Sequence, residues 1–219
     1  MFPEMVLQHK NQLSAISRKR IQRMIFMNNI PVIGDLRLAE YFQMLSSDSL
    51  YPSAGSSAAM TSAHAAALFA MACRVNLRKI EEGLPEGKEN NDRKTPWQEA
   101  LQSAELLLEQ SLALAQEDGF AIKGFMEGVP RSAEKIMDIP LKIAYCADEI
   151  VSLTIRFLAE SYAPVQADIQ CARLLAEGSR KAALAVACYN LPLLNKDKRE
   201  SYIKQISKIE QSKVKSKPC

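Results

Sequence analysis

Residues 52–73 read PSAGSSAAMTSAHAAALFAMAC, a turn of small polar residues that leads into a run rich in alanine. The pattern predicts a helix over about residues 57–81. A second stretch rich in alanine lies within residues 168–190, where we predict another helix. Small side chains let two helix axes approach closely, so we expect these two helices to be central in the fold.

The rest of the chain also has helical periodicity. Aromatic residues make up 6% of the sequence and only 8 of 219 residues are glycine, which disfavours an all-β fold. Long helices joined by turns predict an all-α protein, an up-and-down bundle of about seven helices with alanine-rich central helices. The predicted helices cover about residues 5–27, 35–45, 57–81, 95–127, 132–162, 168–190 and 196–211.

Several boundaries follow from capping residues and prolines. Asp35 and Asp168 are predicted caps of the helices that they precede. Residues 83–95, GLPEGKENNDRKT, are predicted to form a surface loop, and Thr95-Pro96 to start the next helix. Pro140 is predicted to kink or break its helix.

Composition limits the classes of function. Lys and Arg number 28 against 25 Asp and Glu, so a net charge of +3 does not indicate a nucleic-acid-binding protein. The apolar run 57–73 has too little Leu, Ile and Val for a membrane span. Five cysteines without a C-x-x-C pair and only His9 and His64 disfavour disulfides, a metal site and a Ser-His-Asp triad. We therefore expect reduced, mostly buried thiols in a cytoplasmic protein.

The N-terminal segment differs from the rest. Residues 5–34 carry five basic residues and no acidic one. This composition is shared by organelle transit peptides and by basic helices that dock on the fold or on a partner. We divide the chain into a basic N-terminal extension (1–34), a helical domain (35–211) and a frayed, lysine-rich tail (212–219).

The turn before the first alanine-rich helix is suited to binding. Exposed backbone N–H groups and the helix dipole at a helix N-terminus attract a carboxylate, a phosphate or a polarised carbonyl. The alternative is that Ser56 or Ser57 only caps the helix.

The stretch Pro52-Ser-Ala-Gly-Ser-Ser-Ala-Ala59 resembles the P-G-G-G-S-A-A-A turn of the formiminotetrahydrofolate cyclodeaminase/methenyltetrahydrofolate cyclohydrolase family. Other segments resemble that family in the same order along the chain. They are Asn76-Leu77-Arg78-Lys79, Ile139-Pro140-Leu141, the stretch around Asp168, and Asn190-Leu191.

The resemblance implies a homodimeric enzyme of one-carbon metabolism. Its reaction would be cyclohydrolysis of methenyl-tetrahydrofolate or cyclodeamination of formimino-tetrahydrofolate, with the folate as substrate and without a metal or redox cofactor. The implied catalytic residues are Asp168 and Lys79, and the implied substrate-binding residues are Gly55, Ser56, Ser57, Gln116 and Asn190. Ordinary structural roles remain open for each: a cap for Asp168, a solvated helix end for Lys79 and a buried amide for Asn190.

The chain also departs from the family pattern. Ser53 and Ala54 stand where the family has glycines, and Leu114 and Gln116 where it has paired aspartates, with Glu117 and Asp118 close by. A second hypothesis is therefore a non-catalytic descendant that binds a ligand or serves as an assembly subunit. The enzyme hypothesis requires the turn, Lys79, Asp168 and Asn190 to surround one cleft.

Overall fold

The computed structural model describes residues 30–83 and 88–211. These residues form six α-helices and no strand, so the predicted all-α class is confirmed, and the six helices correspond to the six predicted within this part of the chain. The predicted helix over 5–27 and the tail 212–219 lie outside the described residues. The helices are α1 (Leu38–Leu45), α2 (Ala54–Gly83), α3 (Lys88–Met126), α4 (Ser132–Leu158), α5 (Gln166–Asn190) and α6 (Lys196–Gln211).

Helices α2 to α5 form an up-and-down four-helix bundle. Helix α2 packs against both α3 and α5, and α4 packs against the same two helices from the opposite side. Buried hydroxyls join the layers: Ser111 Oγ donates to Ser62 Oγ at 3.0 Å, and Ser179 Oγ donates to the Ala58 carbonyl at 2.7 Å. Helix α6 is held on α4 by a 2.6 Å hydrogen bond from the Tyr202 hydroxyl to Asp138.

Alanines occupy the interior of the bundle, which confirms the predicted central helices. Ala59, Ala65 and Ala66 of α2 have no exposed surface, and neither have Ala172 and Ala176 of α5. Helix α2 is long and apolar enough to cross a membrane by length and composition alone. More than half of its apolar window is buried within the bundle, as expected of the core helix of a folded domain.

Helix starts differ from the sequence prediction. Helix α2 begins at Ala54, so the predicted turn is already its first turn, and α3 begins at Lys88, seven residues before the predicted start at Thr95. Pro96 lies inside α3 and Pro140 inside α4, and α4 is continuous through its proline. Packing along both faces of these long helices outweighs the backbone hydrogen bond that each proline removes.

Both predicted aspartate caps are wrong. Asp35 belongs to a 3₁₀ turn, and the residue before α1 is Arg37, whose N–H donates to the Glu40 carboxylate at 3.1 Å. Asp168 lies within the first turn of α5, after the N-cap Val165. There its negative charge interacts favourably with the positive end of the helix dipole, but its side chain does not cap the helix.

Close helix packing predicts how the core responds to added volume. Replacing Ala66, which is fully buried, with Leu should destabilise the protein by about 1–3 kcal/mol, because the bundle has no space for three more carbons. The matched control is Ala113→Leu, at an exposed site of α3, which should change stability by less than about 0.5 kcal/mol. Urea unfolding followed by circular dichroism measures the free energy of unfolding of both variants. Equal changes at residues 66 and 113 would contradict the close packing of the core.

Candidate functional site

The first turn of α2 and the residues before it, 51–57, form an elbow closed by serine hydroxyls. The Ser53 N–H donates to Ser56 Oγ at 2.6 Å, and Ser56 Oγ donates in turn to the Ser53 carbonyl at 3.1 Å. Ser57 Oγ donates to the same carbonyl at 2.7 Å. The backbone of the elbow is therefore fixed by its own side chains.

Asp118 of α3 supplies the group that caps α2. Its Oδ2 accepts hydrogen bonds from the Ser56 N–H at 2.9 Å and from the Ser53 hydroxyl at 3.0 Å. An N-terminal N–H of a helix is ordinarily capped by the side chain just before it. Here a carboxylate from another helix takes that position, where the dipole of α2 favours negative charge.

Two glycines make this contact between α2 and α3 possible. A Cβ added to Gly55 would lie 2.1 Å from Asp118 Oδ1, and one added to Gly119 would lie 2.6 Å from the Tyr51 ring. Tyr51 in turn donates from its hydroxyl to the Ala115 carbonyl at 3.2 Å. Gly55 of α2 therefore leaves room for Asp118 of α3, and Gly119 of α3 leaves room for Tyr51 of the elbow.

Burial changes the acidity of the carboxyl at the elbow. Asp118 is only 5% exposed, and removal from water raises its pKa above the usual range for an aspartate. The hydrogen bonds from Ser53 and Ser56 oppose this shift, because they favour the charged form. A buried carboxyl with a raised pKa and hydroxyl and amide donors at hand is a candidate proton carrier.

Gln116 lies two residues before Asp118 and is partly buried. Its Oε1 accepts a hydrogen bond from the Ile33 N–H at 2.8 Å, which holds the segment before α1 against α3. Its Nε2 is buried and has no hydrogen-bond partner among the described residues. This buried amide donor without a partner is the unsatisfied polar group that α3 carries next to the segment before α1.

Lys79 lies at the other end of α2. Its Nζ forms a 2.5 Å ion pair with Glu82 and lies 5.6 Å from the centre of the Tyr162 ring. Glu82 raises the pKa of the lysine through this pair. One helical turn before Lys79, Asn76 is buried and holds the chain after α4, accepting the Tyr162 N–H at 2.7 Å.

A cavity of about 610 Å³ opens beside Lys79. Trp97 and Pro96 of α3 supply apolar walls, and Arg93 supplies a second cation. Asp92 and Glu160 also line the cavity, so its rim carries both signs of charge. Its volume is in the range of small-molecule sites.

One chain does not bring all of the predicted site residues together. Gly55 and Lys79 are 24 residues apart on one straight helix, which corresponds to about 36 Å. Ser179 of α5 lies level with Ala58 of α2, and the two helices are antiparallel. Counting along the helices from this contact places Asp168 about 20 Å from Gly55 along the bundle axis. Of the predicted residues, Gly55, Ser56 and Ser57 belong to the elbow, and Gln116 lies on α3 two residues before Asp118.

Asn190 lies towards the elbow end of the bundle but has a structural contact there. Its Nδ2 donates to the Ile136 carbonyl at 2.8 Å and so joins the end of α5 to the start of α4. The side chain is half-buried and its Nδ2 is satisfied, so Asn190 has a structural role, although it is not the fully buried amide expected from the sequence.

Asp118 was not among the residues predicted for the site. When Leu114 and Gln116 are aligned with the paired aspartates of the family, Asp118 is only a neighbour of those positions. A signal was present, because Asp118 follows Ser111, Leu114 and Ala115 on the buried stripe of α3. A carboxylate on an otherwise uncharged helical stripe needs a buried partner, and the partner is the N-terminus of α2.

The fold and the site define an all-α bundle in which a buried carboxylate caps a serine-rich elbow. The model of the formiminotransferase-cyclodeaminase family matches residues 37–208, and the chain belongs to this family. No curated protein matches at a significant level. The fold is similar to that of formiminotetrahydrofolate cyclodeaminase from Thermotoga maritima, with a TM-score of 0.72 and 14% identity over 81% of this chain and 90% of that chain.

The Gly55–Asp118 contact predicts a large effect of a single methyl group. Gly55→Ala should destabilise the protein by about 1.5–3 kcal/mol, because Asp118 must move away from its hydrogen-bond donors. Gly178→Ala is the control: this exposed helical glycine has nothing within 4 Å, so alanine should stabilise by about 0.5–1 kcal/mol. Urea unfolding gives both values. In an Asp118→Ala background the cost of Gly55→Ala should largely disappear, and a cost that persists would refute the contact.

The raised pKa of Asp118 predicts a pH dependence of stability. The folded state binds the proton more tightly than the unfolded chain, so this residue makes stability fall as pH rises from about 4 through the folded pKa. Asp118→Asn removes that dependence and should gain stability relative to the wild type as the pH increases. Urea unfolding at several pH values between 4 and 8 measures the difference, and a difference that is constant with pH would contradict the shift.

Proposed function

We propose that the protein binds a one-carbon derivative of tetrahydrofolate at the elbow and catalyses its cyclohydrolysis or cyclodeamination. The observation that supports this most directly is the buried Asp118 carboxyl at the N-terminus of α2, in a chain of the formiminotransferase-cyclodeaminase family. The protein of similar fold from Thermotoga maritima is a formiminotetrahydrofolate cyclodeaminase, which belongs to the same chemistry.

Both reactions require a proton carrier beside a cationic carbon. Hydrolysis of a methenyl bridge needs a base for the attacking water, and cyclodeamination needs an acid for the departing ammonia. The hydrogen bonds from Ser53 and Ser56 both end on Asp118 Oδ2, so in this proposal Oδ1 carries the proton. The ionised form would also stabilise the positive charge of a methenyl or formimino group. Neither reaction involves a net oxidation or reduction, so the proposal includes no redox cofactor, and it assigns no metal to the site.

The other site residues receive separate roles in this proposal. Gly55 and the hydroxyls of Ser56 and Ser57 shape the elbow, and the unpaired Nε2 of Gln116 binds an acceptor on the pterin. Lys79 lines a cavity about 36 Å from Gly55 along α2, too far to contact a folate bound at the elbow of the same chain, and has no role in this proposal. We further propose that the enzyme is a cytoplasmic homodimer.

A non-catalytic binding or assembly subunit is the second candidate. One observation favours it: the α2 N–H that a ligand anion would use already donates to Asp118 within the protein. In that case the carboxylate is a permanent cap, and the elbow is closed to substrate.

An absorbance assay separates the two candidates. Purified protein mixed with methenyl-tetrahydrofolate should accelerate the loss of its near-ultraviolet absorbance over the buffer rate. Asp118→Asn should lower kcat by about 10²–10⁴-fold, because the isosteric amide cannot exchange a proton. Formimino-tetrahydrofolate with ammonia detection tests the second reaction in the same way.

Asp168→Asn is the matched control, since it removes the other predicted carboxylate about 20 Å from the elbow. Its rate should equal that of the wild type. Equal rates for wild type and Asp118→Asn would exclude Asp118 as the proton carrier. No acceleration by the wild type with either substrate, together with no binding in calorimetry, would favour the subunit role.

A further inference from the structure

Ser53 is held through its backbone and donates from its hydroxyl to Asp118. Its N–H donates to Ser56 Oγ at 2.6 Å, and its carbonyl accepts hydrogen bonds from the hydroxyls of Ser56 and Ser57 at 3.1 and 2.7 Å. The remaining polar group, the Ser53 hydroxyl, donates to Asp118 Oδ2 at 3.0 Å. A donor that is fixed in this way needs no reorganisation to stabilise a negative charge.

The donors at the elbow favour one form of the Asp118 carboxyl and occupy one of its oxygens. The Ser53 hydroxyl and the Ser56 N–H both donate to Oδ2, and hydrogen bonds to a carboxylate favour the ionised form. Oδ1 is instead the Asp118 atom nearest to the place of the side chain that Gly55 lacks, since a Cβ there would lie 2.1 Å from it. The carboxylate is therefore held through Oδ2 and presents Oδ1 as a base.

Burial and hydrogen bonds decide the ionisation of Asp118 in the described part of the chain. Burial raises its pKa, the hydrogen bonds from Ser53 and Ser56 lower it, and no charged side chain of a neighbouring helix contributes. The titratable group of the elbow that interacts with Asp118 is the Tyr51 hydroxyl, whose pKa is raised by burial and by the negative charge of Asp118. Tyr41 of α1 interacts with Tyr51 in turn, and burial raises its pKa too. Both tyrosines therefore stay neutral while Asp118 titrates.

Two departures from the family pattern act on this carboxyl in the same direction. Ser53 stands where the family turn has a glycine, which has no hydroxyl to donate. Leu114 and Gln116 stand at the positions of the paired aspartates, and neither side chain ionises. A like charge nearby would disfavour the ionised form of Asp118, and no second carboxylate at these positions does so. Both departures therefore favour the carboxylate over the carboxylic acid.

We infer that Ser53 is a positioning residue that holds Asp118 ionised with Oδ1 available as a base, and that the elbow therefore favours cyclohydrolysis of a methenyl group over cyclodeamination. The inference rests on the proposed function for the identity of the substrate. Cyclodeamination would start from the protonated carboxyl, which gives its proton to the departing ammonia.

The favoured reaction starts from the carboxylate. The oxygen of a water molecule bonds to the methenyl carbon while one proton of that water passes to Asp118 Oδ1. This proton then moves to one of the two nitrogens as the bond of that nitrogen to the carbon breaks. The second proton of the water is released to solvent, so a formyl group remains on the other nitrogen and the positive charge of the substrate is lost.

The positioning role is tested without any substrate. The infrared C=O band of the protonated carboxyl, assigned by its loss in Asp118→Asn, is titrated in the full chain. In Ser53→Ala its midpoint should move to higher pH by about 1–2 pH units, because a hydrogen bond to the charged form is lost. Ser53→Thr keeps the hydroxyl and should retain the wild-type midpoint.

Ser49→Ala is the matched control for the infrared titration. It removes a hydroxyl that donates to the Tyr51 carbonyl of the elbow at 3.0 Å, and it should leave the midpoint unchanged. An unchanged midpoint in Ser53→Ala, or an equal shift in Ser49→Ala, would overturn the positioning role.

The preference between the two reactions is tested with both substrates. The wild type should have a higher kcat/KM for methenyl-tetrahydrofolate than for formimino-tetrahydrofolate. Ser53→Ala should lower the first value by about 10–100-fold on the acid side of its pH profile, move that profile to higher pH, and leave the second value at least as high. Ser53→Thr should restore the wild-type profile.

The outcomes separate this inference from the proposed function. A wild type that prefers formimino-tetrahydrofolate, or a Ser53→Ala variant that loses both activities equally, would overturn the inference and leave the proposed function standing. A wild type inactive on both substrates would refute the proposed function and the reaction assigned here with it. The infrared titration would then still decide whether Ser53 positions Asp118.

Discussion

The contact between Asp118 and the first turn of α2 is the constraint on which the elbow depends. A helix N-terminus buried in a bundle leaves N–H groups that must be satisfied, and here a carboxylate from α3 accepts one of them. The contact requires glycine at residue 55, because any side chain there would displace the carboxylate. It also draws α3 close enough for Gly119 to lie against the Tyr51 ring. One ionisable group thus sets the distance between two helices and the chemistry available at their junction.

Small side chains extend this close packing along the bundle. Alanines and hydroxyl groups fill the contacts of α2 with α3 and α5, and the two interhelical serine bonds lie on the same central helix. At the other end three aromatic side chains, Phe69, Trp97 and Phe157, pack together. The two ends of α2 therefore differ in kind: one is polar and tightly closed, and the other is aromatic and opens to a cavity. This asymmetry explains why the candidate site residues fall into two groups instead of one.

Membership in the formiminotransferase-cyclodeaminase family establishes the fold, whereas the chemistry depends on the side chains at the elbow. The glycines of the family turn are replaced by Ser53 and Ala54, yet Ser53 now holds the carboxylate that caps the helix. Serine in place of the family glycine at residue 53 departs from the motif, yet it adds a hydrogen bond to the buried carboxyl of Asp118. Asp168, in contrast, matches a motif but lies in the first turn of α5, away from the elbow. A motif match shows that segments occur in the same order along the chain, whereas a site requires that their side chains lie close together in the folded protein.

The sequence by itself determined the helical class, the alanine-rich centre and most helix ends, including residues 196–211 of the last helix. These follow from local periodicity and from side-chain volume, which are properties of neighbouring residues. Only the tertiary structure decided that α3 begins before Thr95, that α4 runs through Pro140, and that Asp118 is the acid at the elbow. The reason is physical: burial between helices outweighs local helix-breaking preferences, and the partner of a buried carboxylate is 62 residues away in sequence.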